Sequence, residues 1–332
     1  MLYSKRDITR AGRLLVSPGC PEEERAQAID KVNYWRELHQ EPMQLLLADL
    51  DAQTEGAPST LIAGRIKKLD TIVDKLGRAG TPSKLHTMYD IAGCRAVVPD
   101  MGSLLELKER MLSLPGCDMD RTRKRDYLLR PKESGYRSCH AIFKYECNRA
   151  GTQLNAELQL RTRLQHEWAT AVEMYDLATR SRLKFNDAGC VAWRFFQVAS
   201  RLIEHIETGQ GDRATRAALA HELAELDGCR SIVQDLHACS QSVSLLADVP
   251  QLDESSYCLV DIDIGEQVVK VDVLGADDAV AAYCRRESAS TGGHNVVLVK
   301  GSSVDELRHI YPNYFGDISD FVRLVEEETG MR

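Results

Sequence analysis

The sequence predicts an α+β protein in which a mixed β-sheet is flanked by helices, with a helical extension and a small C-terminal α+β domain. Helical patterns fill much of the N-terminal region and residues 163–247. Between them lie short apolar or alternating stretches at 91–98, 140–147 and 154–162, which are typical of strands. A second group of strand-like stretches follows residue 251, beyond the helical region, and this change of pattern predicts a separate unit.

The composition is that of a globular protein with a sizeable core. The chain has 332 residues, of which 43% are hydrophobic and 28% charged. It shows no apolar run long enough to cross a bilayer and no signal-peptide pattern at its N-terminus. Its ten cysteines form neither CxxC pairs nor a short disulfide framework. We therefore expect a cytoplasmic protein with reduced thiols and no membrane partner.

The charge distribution restricts the ligand class. A formal net charge of −8 argues against a dedicated DNA-binding protein, which would neutralise many backbone phosphates. Positive charge is nevertheless dense within residues 121–137, where seven lysines and arginines occur. An acidic protein with one such stretch is suited to a compact polyanion at that place.

The elements follow one another in a clear order. One or two amphipathic helices at 22–53, interrupted near Pro42, precede a predicted helix at 61–78 that Ser59 or Thr60 could cap. The remaining predicted helices lie at 102–114, within 163–247 with a glycine-rich gap at 209–211, and at 276–287, 303–310 and 317–328. The remaining predicted strands lie at 257–264, 268–275 and 295–301. We divide the chain into N-terminal helices (1–55), a core (56–180), a helical region (181–250) and the C-terminal domain (251–332).

Two groups of charged residues in the first half of the core could serve chemistry. Arg65, Lys67 and Lys75 lie on the predicted 61–78 helix, where their spacing alone favours a solvated basic face over a binding site. Asp90 opens the predicted strand that carries Arg95. A carboxylate at a strand end is a common Mg²⁺ ligand and also a common turn residue, so both interpretations stay open.

Two further groups lie in the second half of the core. Alternation along a strand puts Glu157, Gln159 and Arg161 on one face, which is either a solvent face or a polar cleft. The segment 131–140 combines cations, a tyrosine and a histidine in a glycine-containing loop. Such a loop can stack a base and bind phosphates, although a plain surface loop is the alternative. Cys139 and His140 would point to opposite faces of a strand, which argues against a catalytic pair.

In this order the groups resemble the synthetase domain of the RelA/SpoT alarmone family. The matching blocks cover roughly residues 60–165, and five blocks in the right order are far more specific than any one of them. They are Arg65-x-Lys67 with Lys75, Asp90-Ile-Ala-Gly-Cys-Arg95, Asp126-Tyr127 with Pro131-Lys132, Ser134-Gly-Tyr136-Arg-Ser-Cys-His140, and Glu157-x-Gln159-x-Arg161-Thr162. The resemblance is to the stand-alone members, which have no hydrolase domain, and it implies a nucleotidyltransferase-like fold for the core.

The family also implies a role for each matched residue. Arg65, Lys67, Lys75 and Arg95 would bind ATP; Asp90 and Glu157 would be catalytic and would hold Mg²⁺; Tyr136, Lys132, His140 and Arg125 would bind the acceptor nucleotide. The implied reaction transfers the β,γ-diphosphate of ATP to the 3′-hydroxyl of GDP or GTP, which makes (p)ppGpp and releases AMP.

Two other functions fit the same residues. The family also contains toxins that pyrophosphorylate the 3′ end of tRNA, and the basic 121–132 stretch suits a tRNA backbone as well as nucleotide phosphates. A nucleotide-binding sensor without catalysis is the other alternative, against which the intact carboxylates argue. The acceptor, the role of residues 251–332, an antitoxin partner and allosteric ligands stay open. A homo-oligomer is compatible with the sequence.

Overall fold

The structure is a computed structural model that describes residues 2–55, 57, 60–78, 84–179, 190–209, 212–241, 244–245, 257–263, 268–275, 278–289, 294–300 and 318–331. The α-helices are α1 (Lys5–Leu15), α2 (Glu22–Leu38), α3 (Gln40–Thr54), α4 (Leu69–Gly77), α5 (Met101–Leu112), α6 (Met119–Arg123), α7 (Arg163–Thr179), α8 (Val191–Thr208), α9 (Arg213–Ala224), α10 (Cys229–Gln241), α11 (Ala279–Ala289) and α12 (Ser319–Thr329). The strands are β1 (Leu61–Ile66), β2 (Ala92–Val98), β3 (Cys139–Cys147), β4 (Thr152–Thr162), β5 (Ser244–Leu245), β6 (Tyr257–Asp263), β7 (Val268–Leu274) and β8 (His294–Lys300).

The described strands form one mixed sheet in the order β3-β4-β2-β1-β8-β6-β7-β5. Strand β2 runs parallel to β4, whereas β1 runs antiparallel to β2 and β3 antiparallel to β4. The crossover between β2 and β4 contains helices and strand β3, as a parallel pair requires a long connection. The predicted α+β class, a mixed sheet flanked by helices, is confirmed.

The predicted helix at 61–78 is wrong in its first half. Residues Leu61–Ile66 form strand β1, paired with β2 over its whole length, and the helix begins only at Leu69. Gly64 explains part of this, because a Cβ atom there would come within 2.8 Å of the Leu47 side chain of α3. The absent side chain lets α3 pack closely on β1, a tertiary contact that local propensity does not report. Arg65 therefore lies on a strand, and Lys67 follows the strand directly.

The C-terminal strands extend the core sheet instead of forming a sheet of their own. Strand β8 pairs with β1 at Gly64↔Lys300 and Arg65↔Val299, and β6 continues the sheet beyond β8. The strands predicted at 257–264, 268–275 and 295–301 form within a residue or two of their predicted ends. The predicted helix at 303–310 lies outside the described residues. The domain boundaries themselves stay predictions.

One face of the sheet is apolar and is covered by helices. Alternate residues of β2, β3 and β4 contribute small and branched side chains to this face, and α3 and α5 pack their buried leucines and methionines against it. A second core joins α7, α8, α10 and α12, where Phe196 stacks on Phe321. Because the helices cover the apolar face, the polar side chains of the same strands lie on the opposite face.

The other predictions for the N-terminal half are largely confirmed. Strands β2, β3 and β4 and helix α5 form where the pattern places them. The break in the 22–53 helix falls at His39, because proline is tolerated in the first turn of a helix and Pro42 lies in the first turn of α3. Within the described part of the chain, no helix has both the length and the apolar character that crossing a membrane requires.

Candidate active site

The polar face of the sheet gathers side chains from four neighbouring strands. Gly93 of β2 is paired with Arg65 on one side and with Glu157 on the other. Two residues further along β2, in a second row of paired positions, Arg95 is paired with Gln159 of β4, which in turn is paired with His140 of β3. Paired residues, and residues two apart on a strand, share a face. The polar side chains of the two rows are Arg65, Arg95, His140, Glu157 and Gln159.

A lysine–aspartate cluster, formed by Lys67, Lys75 and Asp90, lies at the end of this face. Lys67 Nζ is 3.0 Å from Asp90 Oδ2, and Lys75 Nζ lies 2.8 Å and 2.9 Å from the two oxygens of the same carboxylate. Burial on its own would raise the pKa of Asp90, but the two ammonium groups lower it far below its usual range. Burial also lowers the pKa of Lys67, although Asp90 opposes this shift. The cluster carries two cations and one anion and is thus suited to a polyanion.

A chain of hydrogen bonds, here called the polar chain, crosses the other side of the face. His140 Nδ1 lies 3.0 Å from Glu157 Oε1, and His140 Nε2 lies 2.7 Å from the Tyr136 hydroxyl. The Arg161 guanidinium donates to that hydroxyl, and Gln159 Nε2 donates to the second oxygen of Glu157 over 3.2 Å. Both oxygens of the glutamate and both nitrogens of the histidine therefore have partners, which fixes their orientation.

The charges of the polar chain shift the pKa values of Glu157, His140 and Tyr136. Burial would raise the pKa of Glu157, but His140 lowers it below its usual range. Burial would lower the pKa of His140, but Tyr136 and Glu157 raise it to about 9. Burial would raise the pKa of Tyr136, but the permanent cation Arg161, together with His140, lowers it to about 7. A negative centre at Glu157 thus stabilises a positive imidazole at neutral pH.

Aromatic and cationic groups surround the Tyr136 ring. Lys132 Nζ lies 4.9 Å from its centroid and 4.7 Å from that of Tyr127, and the Arg161 guanidinium lies 4.9 Å from the Tyr136 centroid. Tyr127 meets both Tyr136 and His140 edge to face. A base that stacks on Tyr136 would therefore compete with a cation for the face of the ring, and the displaced cation would be available for phosphate.

A cavity of about 360 Å³ connects the two sides of the polar face. Its sheet wall and loops are cationic, and helices α7 and α8 supply an aromatic wall opposite. The lining residues are Arg65, Lys67, Arg78, Arg95, Lys132, Ser134, Tyr136, Gln159, Arg161, Trp168, Ala169, Val172, Glu173, Trp193 and Phe196. Cations for phosphates next to aromatic rings for a base make the cavity suitable for a nucleotide.

The two carboxylates proposed as metal ligands lie within electrostatic range of each other. The negative charge of Asp90 acts on Glu157 and opposes the lowering of its pKa. Among the described residues, no group of three or more His, Cys, Asp or Glu side chains is arranged to hold a metal ion. One or two carboxylates, completed by substrate phosphates and water, are the usual protein contribution to a Mg²⁺ site, so this pair fits that ion.

The predicted site residues are brought together with one exception. Arg65, Lys67, Arg95, Lys132 and Tyr136 line the cavity, and Lys75, Asp90, His140 and Glu157 bond to one another or to lining residues. Arg125, assigned to the acceptor, accepts the His140 N–H with its backbone carbonyl over 3.2 Å, but its guanidinium lies 4.9 Å from the ring centroid of Tyr89. Sequence reasoning missed Arg78 and the aromatic wall, for which no local signal existed. Arg161 was part of a matched motif but had no assigned role. Its alternation with Glu157 already indicated that the two side chains share a face of the strand.

Helix α8 positions the tyrosine loop, residues 133–137. Gln197 and Ser200 donate hydrogen bonds to backbone carbonyls of the loop, and Glu204 forms a two-point ion pair with Arg137. These three helix residues are spaced by three and four, so they share one face of α8. The loop that carries Tyr136 is therefore fixed from a helix some 60 residues later in the chain.

Glycine is required within this loop. Gly135 has a φ of 92°, which L-residues with side chains rarely adopt, and a Cβ atom there would lie 2.8 Å from Ser200 Cβ. Both observations indicate that the loop can approach α8 only because this position has no side chain.

Comparison with known proteins agrees with this geometry. Residues 64–176 match the family described as the region found in RelA/SpoT proteins. The matched segment begins in β1 and ends in α7, and it contains the lysine–aspartate cluster, the polar chain and Tyr136. The resemblance inferred from the sequence blocks is confirmed for this segment.

Individual relatives match the same part of the chain. GTP pyrophosphokinase YjbM of Bacillus subtilis (strain 168) is 31% identical over 121 residues, which are 36% of this chain and 56% of that protein. GTP pyrophosphokinase YwaC of the same organism is 30% identical over 112 residues, or 32% of this chain and 52% of that protein. The crystal structure of small alarmone synthetase 1 from Bacillus subtilis, at 21% identity, covers 54% of this chain and 94% of that chain with a TM-score of 0.43. The chain thus spans about half the length of the two pyrophosphokinases.

Proposed function

We propose that this protein transfers the β,γ-diphosphate of ATP to the 3′-hydroxyl of GDP or GTP, making (p)ppGpp and releasing AMP. The observation that carries the proposal is the arrangement of the lysine–aspartate cluster and the polar chain on one sheet face, next to a single cavity. The names of the two relatives, both GTP pyrophosphokinases, support the same class of reaction.

The donor side would bind the ATP phosphates. Arg65, Lys67, Lys75 and Arg95 provide the positive charge there. In the reaction, the 3′ oxygen attacks the β-phosphorus, the bond from that phosphorus to the α,β-bridging oxygen breaks, and the electron pair leaves with AMP. Charge builds up on the attacking, transferred and leaving oxygens, so fixed cations lower the barrier most when they are already in place.

Magnesium is the proposed cofactor, held by Asp90 and Glu157. When bound, the metal ion would neutralise negative charge on the phosphates, which these carboxylates would otherwise repel. Both carboxylates have cationic or amide partners in this structure. We expect Lys67 and Lys75 to transfer their contacts from Asp90 to phosphate oxygens when the nucleotide binds. The reason is that a triphosphate carries more negative charge than one carboxylate.

The acceptor side would hold the guanine nucleotide and receive its proton. The base would stack on Tyr136, with Lys132 and His140 near the acceptor phosphates. Glu157, whose lowered pKa keeps it ionised, would accept the proton of the 3′-hydroxyl. The positive His140 beside it keeps that carboxylate oriented. The reaction is then balanced: the proton moves to Glu157, the diphosphate to the 3′ oxygen and the electron pair to AMP.

The test determines which molecule acquires the label from γ-labelled ATP. Purified protein is incubated with Mg²⁺ and γ-labelled ATP together with GDP, GTP or bulk tRNA, with Glu146→Gln as a control. Glu146 lies on β3 with an exposed side chain bonded to Gln153. Label on GDP or GTP and release of AMP are the expected results. Label on tRNA alone would replace this proposal by the tRNA-modifying alternative, which the cationic groove at Arg123, Lys124, Arg130 and Lys132 would suit. Nucleotide binding without transfer would indicate the sensor.

A further inference from the structure

The backbone of Lys67 is held from both sides. Its N–H donates to the Ile91 carbonyl over 2.9 Å, next to Asp90 in the chain. Its carbonyl accepts from Arg36 Nε over 3.0 Å. With both peptide groups engaged, the direction in which the Lys67 side chain leaves the backbone is determined. Arg36 of α2 is thus part of what directs this lysine toward Asp90.

Arg36 is itself held by the C-terminal helix α11. Its side chain is fully buried, and its Nη1 lies 2.8 Å from Glu287 Oε2. The guanidinium also lies 4.8 Å from the ring centroid of Tyr283, and Nη1 is 3.3 Å from Cys284 Sγ. A buried guanidinium requires such a charged partner, because an unpaired charge away from water is very costly. Glu287 is the only carboxylate paired with Arg36 among the described residues.

Glu287 also caps the helix that carries Lys75. Its Oε1 accepts from the backbone N–H of Leu69, the first residue of α4, over 3.0 Å, although 218 residues separate the two in sequence. The position before the helix is Lys68, whose side chain makes no capping hydrogen bond. The first N–H groups of a helix need acceptors, and a carboxylate there is also favoured by the helix dipole. The cap that α4 does not obtain locally comes from the C-terminal segment.

From this arrangement we infer that Glu287 is a positioning residue for ATP binding, acting on Lys67 through Arg36 and on Lys75 through the start of α4. The inference rests on the proposed function, since it assigns the C-terminal segment a role at the ATP side of that site. Among the described residues, the hydrogen bonds of the Lys67 and Lys75 side chains go to Asp90, whereas Glu287 bonds to Arg36 and to the Leu69 N–H. Glu287 fixes the backbone positions from which the two lysine side chains extend. Its loss would therefore leave both cations present but poorly directed toward the phosphates.

The test measures ATP affinity apart from turnover in the full-length chain. The variants are Glu287→Ala, Glu287→Gln and, as matched control, Arg286→Ala. Arg286 is the neighbouring residue on α11 and pairs with Asp261 instead of the lysine-bearing segment. Binding of an ATP analogue with a methylene bridge between the α- and β-phosphates is measured by calorimetry, and kcat and KM for ATP and acceptor are determined separately. Hydrogen exchange of the 67–77 amides reports on the loss of the cap.

We expect Glu287→Ala to bind the analogue about ten-fold more weakly than wild type, as the loss of a charge-assisted hydrogen bond would produce. The KM for the acceptor should stay unchanged, and exchange should rise at 67–77 but not in β3 or β4. Glu287→Gln keeps an oxygen for Leu69 but not the charge for Arg36, and it should give an intermediate loss. If the alanine variant does not fold, Glu287→Gln alone tests the inference.

Three results would overturn the inference in distinguishable ways. If Glu287→Ala and Glu287→Gln bind the analogue no more weakly than Arg286→Ala does, Glu287 is merely structural and the proposed function is unaffected. A wild-type protein that binds no ATP analogue would remove the proposed function and this inference with it. An equal rise of the KM values for ATP and acceptor would also reject positioning of the ATP side.

Discussion

The lysine–aspartate cluster and the polar chain lie on one sheet face but differ in construction. The cluster is a set of ion pairs with an excess of positive charge, and Lys67 and Lys75 are 12% and 31% exposed. The polar chain alternates anion, imidazole, phenol and guanidinium, each with hydrogen-bond partners. A surplus of cations suits attraction of a polyanion, whereas a satisfied hydrogen-bond chain suits orientation of groups in a reaction.

The supports of the two sides differ as well. The tyrosine loop is fixed by one face of α8, and the lysines are fixed through Arg36 and the C-terminal helix α11. Each side therefore depends on a different segment outside the half of the chain that carries the reactive residues. The difference implies that the two substrates' affinities can be changed separately, and substitutions can test this.

The largest expected effect is that of Glu157→Gln. The amide cannot accept the proton of the 3′-hydroxyl and binds Mg²⁺ poorly, so we expect a loss in kcat of roughly 10²–10⁴-fold. Initial rates of AMP formation measure it, with Glu146→Gln as the control that keeps full activity. If the Glu157 variant retained more than about a tenth of the wild-type rate, the polar chain would not contain the base.

Next in size is the loss of a lysine from the cluster. We expect Lys67→Ala to weaken ATP binding by about 10–100-fold and Lys75→Ala to weaken it less, because the more buried cation acts through a lower dielectric. Lys5→Ala, at an exposed position, is the control for a general loss of charge. Titration with the ATP analogue at two salt concentrations gives the ranking. The reverse order, or an equal weakening of acceptor binding, would break the proposed separation of the two sides.

Substitution of Tyr136 should change the affinity for the acceptor alone. Tyr136→Ala removes a stacking surface and should cost about 1–3 kcal/mol of acceptor binding, while ATP affinity stays unchanged. Tyr136→Phe keeps the ring but loses the bonds to His140 and Arg161, and most of the affinity should remain. Equilibrium binding of GDP to the three proteins distinguishes these roles. An unaltered GDP affinity in the alanine variant would place the guanine elsewhere.

The last expected effect concerns stability and is a pH dependence from His140. Its pKa, raised in the folded protein from 6.5 to about 9, means that its contribution is fully present below pH 6.5 and is lost as the pH rises through 9. The difference in unfolding free energy between wild type and His140→Gln should therefore shrink across this range. In a Tyr136→Phe background, one anionic partner is gone and the decline should begin at lower pH. Denaturant unfolding at several pH values measures both, and a difference that does not vary with pH would show that the imidazole is not charged by its neighbours.

Residues 90–98 and 139–162 show how far local pattern reaches. Alternation alone put Cys139 and His140 on opposite faces and grouped Glu157 with Gln159 and Arg161. In the structure Cys139 is buried in the apolar core and His140 contacts Glu157. Strands with one buried face have a period of two, so their sequence reports which side chains share a face. Residues 61–66 show the limit, since their strand depends on pairing with β2 and on the close approach of α3 at Gly64.

By itself, the sequence determined the mixed α+β class, strands β2, β3 and β4 of the core, and the residue types that can bind phosphates, a base and Mg²⁺. Only the tertiary structure decided that the C-terminal strands join the core sheet through β8, that Arg125 lies over Tyr89, and that α8 and Glu287 support the two sides of the site. The reason is that hydrophobic periodicity and turn chemistry are local, whereas strand pairing, a buried ion pair and a remote helix cap depend on contacts between segments that can be more than 200 residues apart and leave no local pattern.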